Sequence, residues 1–120
     1  MRVQFRTEGG SAYFPGLSRP VTIDSADLPG EEMDELRRLV AAARFFDQPA
    51  LVGAPPRGAA DYQQHTITIE EGGRRHTVRV TDFATDPDLR ALLDYLRTKA
   101  RELRAAARAG DKDQRRNPPS

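Results

Sequence analysis

Apolar and polar residues alternate at the start of this chain and again past its middle. Val3 and Phe5 stand between Arg2, Gln4 and Arg6, the period-two pattern of a strand with one buried face. Val21 and Ile23 repeat it around Thr22, so the two segments predict a hairpin with a wide loop. The clearest hairpin comes later, where residues 64–70 and 75–80 flank Gly72-Gly73. A two-residue Gly-Gly turn fixes register. With Glu71 opposite Arg74, Ile67 faces Val78, Ile69 faces His76 and His65 faces Val80, all on one side. Thr66, Thr68, Thr77 and Arg79 take the other side, polar enough to meet water.

The apolar side needs a cover, and two stretches of helical period supply it. Met33, Leu36, Val40 and Ala43 form a stripe from about Glu31 to Arg44, with Glu31 and Glu32 suited to the positive end of the helix dipole. A second stripe, Leu89, Leu92, Leu93, Leu96, Ala100 and Leu103, follows Asp86 as N-cap and Pro87 at the first helical position, and is expected to stop near Gly110. The predicted fold is therefore α+β: a four-stranded antiparallel sheet with two main helices packed on one face. The expected core is Val3, Phe5, Val21, Ile23, Met33, Leu36, Val40, Phe45, Ile67, Ile69, Val78, Val80, Leu89, Leu92, Leu93 and Leu96. Residues 1–110 form the single expected domain. Residues 111–120, charged and ending in Asn-Pro-Pro-Ser, have nothing to bury and are expected to be disordered.

A length of 120 residues leaves room for one core only. The formal charge of +1 is unevenly spread: Arg97 to Arg116 holds eight basic and three acidic residues, leaving the body before it mildly acidic. No cysteine is present, which excludes disulfides, thiolate metal sites and thiol nucleophiles. Charge interrupts the apolar residues at the N-terminus and no long apolar run follows, so the expected location is the cytoplasm, with no membrane partner. His65 and His76 lie about four residues apart along the hairpin, roughly 13 Å at strand rise, too far to share a metal. The acidic pairs Glu31-Glu32 and Glu70-Glu71 sit at a helix start and a turn flank and converge on no cleft, so no catalysis and no cofactor is assigned. Arg97, Arg101, Arg104 and Arg108 form a basic stripe without interleaved aromatics, which reads as a solvated helix face. It leaves one alternative function, a small cytoplasmic adaptor or nucleic-acid-associated protein that uses the second helix and tail.

Between the first two strands, Gly9-Gly10-Ser11-Ala12-Tyr13-Phe14-Pro15-Gly16 carries two aromatics on backbone unsuited to a sheet interior. Either a ring folds back on the core or the pair protrudes as an anchor for another protein. A second long loop, Gln48 to Ala60, is rich in Pro and Gly. The order of these features resembles the emfourin family of bacterial protealysin inhibitors. The resemblance runs from Met1 to about Arg104 and is carried by residues 6–12, by Leu28-Pro29, by Ala43-Arg44-Phe45-Phe46-Asp47-Gln48-Pro49-Ala50, and by Thr66-Ile67-Thr68-Ile69 with Arg75-His76-Thr77-Val78. Ser11, Gln63 and His65 stand where the family pattern tends to be aromatic. The resemblance implies a protein without catalytic activity that blocks the active-site cleft of a thermolysin-like zinc metallopeptidase of the protealysin group, and the chain is expected to be a monomer. The resemblance also implies contacts from Gly9, Gly10, Ser11, Ala12, Tyr13, Phe14 and Leu17 at the first loop, and from Pro55 and Pro56 on the second with Asp61 and Tyr62 just after it.

Overall fold

A computed structural model describes residues 1–9 and 20–116, with side chains as far as Ala107. The strands are β1 (Arg2–Gly9), β2 (Val21–Asp24), β3 (Leu51–Val52), β4 (Gln63–Glu71) and β5 (Arg74–Thr81). The helices are α1 (Gly30–Ala42) and α2 (Pro87–Arg116), with short 3-10 turns at Ser25–Asp27 and Phe45–Asp47. All five strands form one sheet in the order β2-β1-β4-β5-β3.

The expected four-stranded antiparallel sheet is corrected here. Leu51 and Val52 pair in parallel with Arg79 and Val80, adding a fifth strand at the β5 edge. The amide of Arg79 donates to Ala50 O at 2.8 Å, which anchors this short segment. Two residues carry no periodicity of their own, so only the long-range pairing reveals them. The two expected hairpins form, and the pairing of β1 with β4 joins them. β1 runs antiparallel between β2 and β4, and in the β4–β5 hairpin Ile67 faces Val78, Ile69 faces His76 and His65 faces Val80. Gly72 and Gly73 both have positive φ, as the tight turn requires.

One face of the sheet is buried under both helices. Val3, Phe5, Ile23, Ile67, Ile69, Val78 and Val80 meet Leu36, Leu39, Val40, Phe45, Leu89, Leu92, Leu93 and Leu96 in a single cluster. Val21 and Met33, expected in the core, are only half-buried; Leu39, Ala84 and Ala100 are buried instead. Asp86 caps α2 as expected: its Oδ1 accepts from the amides of Asp88 at 3.0 Å and Leu89 at 3.4 Å. The helix runs to Arg116, past Gly110. The two helices are clamped together by Lys99, whose ammonium reaches Glu32 at 2.7 Å and Glu102 at 3.2 Å. No described helix is long and apolar enough to cross a membrane.

Candidate functional site

β1 ends, β4 begins and β5 ends at the same edge of the molecule, because antiparallel register places Gly9 beside Gln63 and Gln64 beside Thr81. Residues 10–19 follow in sequence between Gly9, the last residue of β1, and β2. The second loop, 53–62, arrives at this edge from β3 and delivers Asp61 and Tyr62 into β4. The end of β1 and the end of the second loop, far apart in sequence, thus meet by strand pairing alone.

The approach at Gly9 is tight. Its φ is +88°, and a Cβ there would lie 2.7 Å from the carbonyl oxygen of Tyr62. Only glycine combines that dihedral with that spacing. Asp61 also has positive φ, at 58°, so the chain turns sharply just before Tyr62. The Tyr62 ring then packs edge-on against Phe83, with centroids 5.5 Å apart. Phe83 itself is 38% exposed.

The Phe83 turn is held by a set of hydrogen bonds. Asp82 Oδ2 accepts from the Gln63 amide at 2.8 Å, and the Asp82 amide donates to Gln63 O at 3.3 Å. The Thr81 hydroxyl accepts from the Phe83 amide at 3.1 Å and donates to Gly53 O. Gly53, with φ +81°, lies so near this turn that a Cβ would meet Ala84 N at 2.4 Å. The start of the second loop is therefore stapled to the end of β5. Further along, Pro56 O accepts from Ala59 N at 3.0 Å, closing a turn in which Gly58 takes φ +84°.

His65 lies under this end, 1% exposed and stacked on Phe5 at 6.0 Å. Its Nδ1 shares a 2.9 Å hydrogen bond with the Thr7 hydroxyl. Its Nε2 is buried without a hydrogen-bond partner, 3.9 Å from Asp82 Oδ1. Burial holds the His65 pKa below its ordinary value; Arg97 adds to that, while Asp82 and Asp94 oppose it. His76, by contrast, donates from Nε2 to Gln48 O at 2.7 Å and packs against Phe45 and Phe46. No group of three His, Cys, Asp or Glu among the described residues can hold a metal.

Of the residues expected at the site, Gly9 and Tyr62 are brought into direct apposition, and Asp61 adjoins them. Pro55 and Pro56 lie on the same loop as Asp61, Pro55 half-buried and Pro56 exposed. Gly10, Ser11, Ala12, Tyr13, Phe14 and Leu17 fall outside the described residues, so the question whether Tyr13 and Phe14 point outward falls outside them too. The sequence reading missed Phe83. Its signal was an aromatic in the short stretch between a strand ending at Thr81 and a helix capped by Asp86, belonging to neither stripe.

Residues 5–97 match the family Emfourin, and the chain belongs to it. The members of this family are inhibitors of protealysin-type metallopeptidases and are not enzymes. No curated protein and no solved structure matches the chain.

Proposed function

We propose that this protein inhibits a thermolysin-like metallopeptidase by inserting the end of the sheet that carries Gly9 and Tyr62 into the enzyme's active-site cleft. The observation that supports the reading best is the apposition of Gly9 with Tyr62, which joins the roots of loops 10–19 and 53–62 at the end of the central β1–β4 pairing. A cleft needs a wedge that does not yield. Roots held by strand hydrogen bonds lose less freedom on docking than a free peptide does, and that difference adds to affinity. The inhibitor supplies no chemistry of its own. Apolar side chains from the first loop, Tyr13, Phe14 or Leu17, fill the pocket beside the scissile position, and Tyr62 with the second loop braces the opposite wall. One aromatic in an apolar pocket contributes on the order of 2 kcal/mol.

The test is an inhibition constant measured against a protealysin-type peptidase. Replacing Tyr13 and Phe14 together by Ala is expected to leave the thermal midpoint unchanged and to weaken inhibition at least about tenfold, the loss of roughly 1.4 kcal/mol. An unchanged constant would remove the first loop from the contact.

A further inference from the structure

The opposite end of the sheet carries a cleft of about 320 Å³ between α1 and the β4–β5 turn. Three arginines line it: Arg37 and Arg44, seven residues apart and so on one side of α1 and its C-terminal extension, and Arg74 beside the Gly-Gly turn. The Arg74 guanidinium lies over the Phe46 ring, 4.2 Å from its centroid. Three arginines outside the cleft pair with acids, Arg6 with Glu8, Arg38 with Glu35 and Arg75 with Glu70. Among the described residues, Arg37, Arg44 and Arg74 have no carboxylate within ion-pairing distance.

Arg44 is also costly where it stands. It follows the last residues of α1 with φ 49° and ψ 50°, the left-handed conformation that helix ends normally assign to glycine. A side chain kept at such a position, exposed and unpartnered, points to a use for that side chain. Val40 and Phe46 also line the cleft, as do Asp47 and Glu71. Those two carboxylates disfavour an extended polyphosphate backbone. Discrete carboxylates between three guanidiniums, beside the apolar side chains of Val40 and Phe46, fit better.

We infer that this cleft binds an acidic peptide segment of a protein partner, through Arg37, Arg44 and Arg74. β4 separates the cleft from the Gly9 end by about 26 Å at strand rise, so the two surfaces are distinct and the inference does not rest on the inhibitory reading.

The experiment is fluorescence anisotropy of labelled hexaglutamate on the full chain, free of peptidase, at low and high salt. The expected result is salt-sensitive binding that Arg44→Gly weakens by roughly fivefold or more. Because glycine relieves the left-handed strain, that variant keeps or raises the thermal midpoint, which separates lost binding from lost folding. The double variant Arg37→Gln, Arg74→Gln weakens binding further, whereas Arg101→Gln on the exposed side of α2 leaves it unchanged. Loss with Arg101→Gln but not with Arg44→Gly would overturn the inference. So would absence of hexaglutamate binding at low salt, or tighter binding of a single-stranded oligonucleotide of equal charge at the same three arginines.

Discussion

His65 shows how one side chain couples the core to the surface the inhibitor is proposed to present. Alternation along β4 places it among the isoleucines, and it is indeed buried; its contacts with Thr7 and Phe5 follow from the pairing of β1 with β4. The approach of Asp82 was not legible, because it depends on how the chain leaves β5. Since burial lowers the His65 pKa, the unfolded chain binds the proton more readily than the folded one does. The stabilisation is fully present above the ordinary value of 6.5 and is lost as pH falls from there through the lowered folded value. Denaturant midpoints measured across this range are expected to fall on acidification, and to fall less steeply in His65→Leu, which has no proton to take up. An equal slope in both proteins would assign the acid sensitivity to other groups.

Elements with a strong local signal were readable and the one without it was not. The α2 N-terminus could be read because Asp86-Pro87 satisfies and pre-shapes the first turn wherever it occurs. The strand β3 could not, because it exists only through its bonds to β5. Contact between the helices is likewise tertiary: Lys99 sits at the edge of the apolar stripe of α2, and nothing local indicates that Glu32 will meet it. The bond from Glu32 is the main reason the Lys99 pKa is raised. Its contribution is therefore complete at neutral pH and lost as pH rises from the ordinary 10.5 through the raised folded value. Glu32 is 43% exposed, so water screens the pair. Replacing Lys99 by Met is expected to cost about 1 kcal/mol in chemical denaturation, near the value for exposed rather than buried pairs.

At the scale of the molecule, the sheet is a spacer with a different chemistry at each end. The Gly9 end gathers the end of β1, the second loop and the Tyr62–Phe83 pair, while the Gly-Gly end gathers unpaired arginines around Phe46. The two helices cover one face between them, and among the described side chains of α2 the last buried apolar residue is Ala100, while Leu103 is 39% exposed. Segment 111–120 has no apolar residue to contribute to the core. Deleting it is expected to leave both the thermal midpoint and the inhibition constant unchanged. A marked fall in either would give the tail a part in the fold or in the contact.

The sequence by itself determined the α+β class, the register of the Gly-Gly hairpin, the buried face and the N-terminal cap of α2. Each is written in a repeat of two or of 3.6 residues, or in turn and cap residues acting over a few positions. Tertiary structure alone decided the parallel edge strand, the clamp of Lys99 on Glu32, the meeting of Gly9 with Tyr62 and the convergence of three arginines on one cleft. Those depend on where separate elements come to rest against one another, and no local period encodes that.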